Sequence, residues 1–296
     1  MLYDIKLRIT YSYDRPAVGG RHLLRLMPAD LPGEQRRLAA ALTVAPEPAE
    51  RSGMVDFFGN DGTEVVFRDV HDEIEFGVEA RVERIGEPLA FDISPGLDRL
   101  AGELADYRGL EPDSPLHFIG PSPRAVLTPE ITSYARDQIR TGMTARDAVQ
   151  AVGLGLYRDM EFDAEATTVE TPAIEAFAHR RGVCQDFAQI MIAGLRGIGI
   201  PAGYVSGFLR TSPPPGKPRL EGADAMHAWV RAWCGRESGW VEFDPTNALV
   251  VGTDHIVIAR GRDYGDVSPV RGILRIAGEQ TSEQAVDVIP VPEPSP

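Results

Sequence analysis

The chain has 296 residues, of which 43% are hydrophobic and 25% are charged, and its formal net charge is −14. This composition is typical of a globular protein with a substantial core, and the acidic charge argues against a nucleic-acid partner, which requires a basic face. No stretch approaches the ~20 apolar residues of a membrane-spanning helix, and the N-terminus lacks a signal-peptide pattern. We therefore expect a cytoplasmic protein without a membrane partner.

Residues 1–110 are predicted to form an antiparallel β domain. Apolar side chains alternate with polar ones from Tyr3 to Tyr11 and again from Ile74 to Val82, which is the period of half-buried strands. Between them, residues 54–58 and 63–69 flank the turn sequence GNDG, which indicates a hairpin.

The remainder of the chain is predicted to be an α+β unit. Proline and glycine crowd residues 111–125, which we interpret as a linker to a core over 126–296. Helix starts are predicted at Thr128, Thr144 and Thr171, because each threonine is followed by proline or by a capping pattern. Strands are predicted over 204–209, 226–234, 239–244 and 255–259, and a loop over 211–222. Helices followed by antiparallel strands indicate the α+β class.

Cys184 precedes a predicted buried helix, and this position has chemical consequences. Apolar residues at 187, 190, 191 and 195 follow helical spacing, and Gly182 before the cysteine permits a sharp turn. Unpaired N–H groups at a helix N-terminus favour an anion, and the thiolate is the reactive form of cysteine. The backbone N–H of Cys184 is also a donor for an oxyanion, whereas the sequence identifies no second donor. Alternatively, Cys184 is a small buried apolar side chain.

His227 and Asp244 lie on the two predicted strands of one hairpin. Pairing Trp233 with Ser238 places His227 opposite Asp244, and cross-strand partners point to the same side of a sheet. The carboxylate can then hold one ring nitrogen while the other faces the thiol of Cys184, which is the arrangement of a catalytic triad. Taken singly, His227 could be a core histidine and Asp244 a turn former at the strand end.

The same register makes predictions for the neighbouring side chains. Arg231 faces Trp240, which favours a cation–π contact, and Trp229 faces Glu242. The three tryptophans of the hairpin are interpreted as core or pocket wall. Cys234 lies on the opposite strand face from the histidine and has no capping signal, so it is predicted to be structural.

These segments resemble the bacterial transglutaminase-like family, whose members are often described as cysteine proteases. The resemblance covers about residues 125–290, and the N-terminal strands are similar to the β domain that precedes the core in that family. It rests on five motifs: GVCQDFA at residues 182–188, GIPA at 199–202, YVSG at 204–207, DAMHAW at 224–229 and GWVEFDPTN at 239–247.

The resemblance implies a papain-like fold with a Cys–His–Asp triad, which falls on Cys184, His227 and Asp244. Two positions depart from the family pattern, because Met226 stands where serine is common and Gln189 where histidine is common. Neither departure changes the triad residues.

The predicted function is a cysteine-nucleophile enzyme that hydrolyses a peptide or amide bond in a peptide, a protein or a small amide through a thioester. Transfer to an amine, an ATP-fed ligase and a catalytically silent binding scaffold remain alternatives. The chain has no phosphate-binding loop with Gly-x-x-x-x-Gly-Lys-Ser/Thr spacing. Its histidines and cysteines show no zinc-site spacing, so we expect neither a cofactor nor a metal. The oligomeric state is not predicted.

Overall fold

The structure, a computed structural model, describes residues 1–86, 91–211, 222, 224–275 and 278–292. Its strands are β1 (Leu2–Leu24), β2 (Gln35–Ala45), β3 (Glu50–Val55), β4 (Asp61–Arg84), β5 (Glu161–Phe162), β6 (Arg181–Gly182), β7 (Ala202–Leu209), β8 (Ala225–Trp233), β9 (Trp240–Asp244), β10 (Leu249–Val250), β11 (His255–Gly261), β12 (Val270–Arg275) and β13 (Gln280–Pro290). Its α-helices are α1 (Leu97–Ala105), α2 (Pro129–Asp137), α3 (Ala145–Asp159), α4 (Ala173–His179), α5 (Cys184–Gly197) and α6 (Tyr264–Val267), and a 3-10 helix spans Pro115–Phe118. The α+β class predicted from the sequence is confirmed.

The first sheet is built around two long strands, β1 and β4, which pair antiparallel along most of their length. The alternate side chains of Tyr3, Ile5 and Leu7 in β1 are at most 3% exposed, as the period-two pattern predicts. β2 and β3 pair with successive parts of β4, and the predicted GNDG sequence overlaps the turn between β3 and β4, with Asp61 and Gly62 as the first two residues of β4.

The C-terminal strands complete this first sheet. β13 pairs with the first half of β1 and β12 with the second half, so both C-terminal strands lie beside the N-terminal strand. The sequence pattern predicts instead that these strands end the core over 126–296. A local sequence pattern identifies a strand, but it does not identify a pairing partner some 270 residues away. The domain boundaries at residues 110 and 125 remain a prediction.

The segment predicted as a linker packs against the core. Phe118 is 1% exposed, and the buried guanidinium of Arg196 in α5 donates to the Gly120 carbonyl at 2.9 Å and to the Ser122 hydroxyl at 3.0 Å. Helix α1 also lies within the region predicted to be all β.

The second sheet has the order β10-β9-β8-β7-β11, and α5 packs against β7 and β8. Helices α2, α3 and α4 surround α5. The predicted caps of α2 and α3 are confirmed, because Thr128 and Thr144 accept hydrogen bonds from the third residue that follows each of them. The predicted loop over 211–222 falls mostly outside the described residues.

Side chains from the first sheet cover the edge of the second. Gln35 donates to the Val257 carbonyl at 2.8 Å and accepts from its N–H at 2.9 Å. Asn60 makes the same pair of bonds to the backbone of Arg260, both at 2.8 Å. The backbone groups of Val257 and Arg260 in the edge strand β11 are thereby satisfied, which removes a site for unwanted strand pairing. Among the described residues, no helix has the length and apolar character to cross a membrane.

Candidate active site

Cys184 is the first residue of α5 and is partly exposed, whereas the helix behind it is buried from Gln185 to Arg196. The N–H groups of Asp186 and Phe187 both donate to the carbonyl of Val183, the residue before the helix. In the part of the chain that the structure describes, the backbone N–H of Cys184 has no acceptor. A sulfur anion or an oxyanion at this point would face the positive end of the helix.

Asp186 fixes the start of the helix. Its Oδ2 atom accepts from the Val183 N–H at 2.9 Å and from the Thr167 hydroxyl at 2.6 Å. A Cβ at Gly182 would lie 2.5 Å from this same Oδ2. Glycine is therefore required at position 182 because the aspartate approaches closely, and not because of the sharp turn that the sequence suggested.

His227 and Asp244 form a buried hydrogen-bonded pair. His227 lies in β8 and is 8% exposed, and Asp244 ends β9 and is fully buried. The distance from His227 Nε2 to Asp244 Oδ2 is 2.7 Å.

The strand register differs from the predicted one by two residues. Trp233 pairs with Trp240 and not with Ser238, because the turn after β8 is longer than four residues and closes with the Cys234 N–H on the Gly239 carbonyl. A shift of two keeps every side chain on its face. His227 and Asp244 therefore still meet, diagonally and not directly opposite each other.

The hydrogen bonds define the protonation of the imidazole. Burial lowers the pKa of His227, but its hydrogen bonds to Asp244 and to Cys184 outweigh burial and raise that pKa to about 10. Burial likewise raises the pKa of the Asp244 carboxyl, and hydrogen bonds from His227 and His255 outweigh it and hold that pKa well below its usual range. An ionised carboxylate only accepts, so Nε2 of His227 donates to it. With a pKa of about 10, His227 is an imidazolium at neutral pH, and its second N–H, at Nδ1, remains for Cys184.

The carboxylate of Asp244 is held on both oxygens. Oδ1 accepts from the backbone N–H groups of Thr246 and Asn247, at 2.9 and 3.2 Å. Oδ2 accepts from the Asn247 side chain at 2.8 Å in addition to His227. Hydrogen bonds to an ionised group are strong, so these several bonds hold the carboxylate of Asp244 in one position.

A second histidine binds the same oxygen, and the sequence analysis did not single it out. Nε2 of His255, at the start of β11, lies 3.1 Å from Oδ2 of Asp244, and the residue is 2% exposed. Its Nδ1 is buried and has no partner among the described residues. No local pattern in the sequence indicates this contact, because two strands, β8 and β7, separate β11 from β9 in the sheet.

The side-chain atoms of His227, Asp244 and His255 that could bind a metal lie within 4.8 Å of one another. In the structure these atoms are engaged with one another through hydrogen bonds on Oδ2. A metal held by the three would have to displace both imidazole protons from that oxygen.

The other predicted neighbours are close to their expected places. The guanidinium of Arg231 lies 4.0 Å from the centre of the Trp240 ring, which confirms the cation–π contact. Trp229 is buried and donates to Glu242 at 2.7 Å. Cys234 is fully buried, and burial raises the pKa of its thiol to about 12, as expected of a structural cysteine.

Comparison with known proteins assigns the family. Residues 3–83 match the bacterial transglutaminase-like N-terminal region, and residues 132–245 match the transglutaminase-like superfamily. The chain belongs to this superfamily, which includes cysteine-based acyl-transfer enzymes and proteases.

Relatives in sequence and structure agree with this assignment. The chain is 34% identical over 291 residues to an uncharacterized protein of Mycobacterium tuberculosis, covering 95% of this chain and 88% of that protein. It is also 34% identical over 105 residues to a protein-glutamine gamma-glutamyltransferase of Pseudomonas aeruginosa, covering 33% of this chain and 16% of that protein. A candidate cysteine protease from Cytophaga hutchinsonii has the same fold, with a TM-score of 0.76 at 20% identity, covering 99% of this chain and 92% of that one.

Proposed function

We propose that this protein is a cysteine-nucleophile hydrolase of peptide or amide bonds, with Cys184 as nucleophile, His227 as general base and acid, and Asp244 as the residue that orients the imidazole. The observation that carries the proposal is the contact chain from Cys184 through His227 to a carboxylate 2.7 Å away. Geometry of this kind, with a base oriented by a third group, is the signature of nucleophilic catalysis.

The reaction would proceed through a thioester. The proton of the Cys184 thiol resides on Nδ1 of His227 in a thiolate–imidazolium pair, and the thiolate attacks the substrate carbonyl. The N–H of Cys184 donates to the oxyanion that forms. The imidazolium then protonates the leaving amine, and the carbonyl re-forms as a thioester. Water, deprotonated by the same imidazole, attacks the thioester, and the thiolate of Cys184 leaves, which restores the thiolate–imidazolium pair.

Transfer to an amine is the second candidate function. It is supported by the similarity of about a third of the chain to a protein-glutamine gamma-glutamyltransferase. Both candidates share the thioester and differ in the group that resolves it. Turnover of a glutamine-containing peptide with and without a primary amine separates them, because hydrolysis releases the acid and transfer yields the substituted amide.

Alkylation tests the nucleophile without knowledge of the substrate. Near neutral pH, iodoacetamide should modify Cys184 at least tenfold faster than Cys234, which serves as the internal control, and mass spectrometry of the two peptides measures both rates. In His227→Ala the rate at Cys184 should fall while that at Cys234 stays the same. Equal, slow labelling of both cysteines would favour the catalytically silent scaffold.

A further inference from the structure

A buried guanidinium of the second sheet, that of Arg231, is not hydrogen-bonded to any acidic side chain in the part of the chain that the structure describes. Arg231 is 6% exposed, and its side chain makes no hydrogen bond or ion pair with any residue that the structure describes. Its Nε atom is fully buried and unpartnered. A guanidinium has five N–H donors, and leaving them unpaired in a buried site is costly.

The nearby acids are already engaged. Arg260 donates to Glu34 at 3.0 Å and to Glu242 at 2.6 Å, so both carboxylates are bonded to another cation. The rings of Trp240 and Phe118 lie 4.0 and 5.9 Å from the guanidinium carbon of Arg231. Ring faces stabilise the cation but leave the in-plane N–H donors free.

Burial and the neighbouring Arg260 lower the pKa of Arg231 to about 9, so the group still carries its charge at neutral pH. It borders a cavity of about 250 Å³, which is lined by Phe58, Pro112, Asp113, Phe118, Arg231 and Arg260. Pro112 and Asp113, which are exposed, lie at the mouth of the cavity. The volume is below the ~300–1,000 Å³ typical for drug-sized ligands, which suits a single-ring or short-chain molecule.

We propose that this cavity binds a small organic carboxylate, with its carboxylate on the guanidinium of Arg231 and its apolar body against the side chains of Phe58 and Phe118, which line the cavity. The planar fork of an arginine matches a carboxylate in a bidentate manner. Asp113 also lines the cavity. Its carboxylate would repel the ligand's carboxylate and so weaken the binding.

The site is distinct from the candidate active site. Arg231 lies four residues beyond His227 on the same face of β8, which is about 13 Å along an extended strand. Trp229 lies between the two on that strand, and its indole N–H donates to Glu242, the cross-strand partner of Arg231. The proposal therefore does not rest on the catalytic roles of Cys184, His227 or Asp244.

Calorimetric titration of the full chain with benzoate and with benzamide, its neutral analogue of the same shape, tests the proposal. Benzoate should bind at least tenfold more tightly than benzamide, because only the anion pairs with the guanidinium. Arg231→Met should abolish this preference, and Arg15→Met, at an exposed arginine of β1, should leave it unchanged. Asp113→Asn should tighten benzoate binding because it removes the repulsion.

Equal affinity for benzoate and benzamide would overturn the proposal and indicate a merely apolar cavity. Tighter binding of benzylammonium than of benzoate would overturn it as well, because Asp113 would then dominate. If Arg231→Met does not fold, the comparison of ligands on the unmodified protein and on Asp113→Asn still decides the question.

Discussion

His255 and His227 share one oxygen atom of Asp244. Their Nε2 atoms lie 3.1 and 2.7 Å from Oδ2, and both rings are buried. The carboxylate that orients the proposed base is thus itself held from the far side by a second imidazole. His255 touches neither the thiol nor, in the proposed reaction, the substrate, so we expect it to act as a positioning residue for Asp244.

Replacing His255 by phenylalanine removes the donor but keeps a flat ring in the same space. We expect kcat to fall roughly 10–100-fold with little change in KM, since a lost hydrogen bond to a charged group is worth about 1.5–3 kcal/mol. His255→Gln retains an N–H donor and should recover part of the loss. Steady-state kinetics of the two variants measure this. A parallel loss of thermal stability with unchanged kcat would show a purely structural role.

Asp244→Asn tests the orienting role directly. The asparagine side chain has the same size, but only one of its two terminal atoms accepts hydrogen bonds. It therefore cannot satisfy all five donors that surround the carboxylate of Asp244. We expect turnover to fall by about 10³–10⁴-fold through loss of the correct imidazole tautomer, while circular dichroism shows a folded protein with a lower Tm. Thr246→Ala is the matched control, because its backbone N–H, and not its side chain, binds Asp244. Undiminished turnover in Asp244→Asn would remove this residue from the mechanism.

The sequence predicted the three residues of the proposed triad for reasons that the structure makes clear. Cys184 was identified by its position before a helix, which is a local pattern. His227 and Asp244 were brought together by the period-two alternation of two strands, and an error of two residues in the register left their faces unchanged. An error of one would have separated them.

The remaining features depend on contacts between distant parts of the chain. His255 reaches Asp244 only because β11 joins the sheet on the far side of β7. The pairing of β13 with β1 brings together residues such as Ile5 and Val288. No local sequence pattern predicts that these two strands are partners. The cytoplasmic location, the substrate and the domain boundaries stay predictions.

Gly182→Ala should damage the candidate active site through its support. The added Cβ would lie 2.5 Å from Oδ2 of Asp186, which holds the N–H of Val183 at the start of α5. Displacing this carboxylate should lower the free energy of unfolding by about 1–3 kcal/mol and slow the alkylation of Cys184.

Gly102→Ala is the matched control for this substitution. Gly102 lies within α1, and a Cβ there meets no atom within 4 Å. Alanine should raise the free energy of unfolding by roughly 0.5–1 kcal/mol because it restricts the unfolded chain. Chemical denaturation of both variants measures the two changes, and a stabilised Gly182→Ala would contradict the assigned role of Asp186.

His22 makes the first sheet sensitive to acid. The side chain is 3% exposed between Phe67 and Phe76, and neither ring nitrogen has a partner among the described residues. Burial, and then the nearby His71, lower the pKa of His22 from 6.5 to about 4. The folded protein therefore resists protonation at a pH where the unfolded chain accepts it.

The sign of the effect follows from this difference. Between pH 6.5 and about pH 4 the unfolded chain binds more protons at this site, so stability falls as the pH decreases through that window. The full loss is ~3 kcal/mol, reached near the lower pKa. Above pH 6.5 both states are neutral at this position, and the contribution is constant.

Urea unfolding at pH 7 and pH 4.5 should show this loss in the unmodified protein and a smaller one in His22→Phe, which fits the same aromatic cluster without a titrating group. Asp244 and other buried acids also weaken the fold in acid, so the measured quantity is the difference between the two proteins. His179→Gln, at an exposed histidine, should behave as the unmodified protein does. Equal acid sensitivity of His22→Phe and the unmodified protein would show that His22 is not the group responsible.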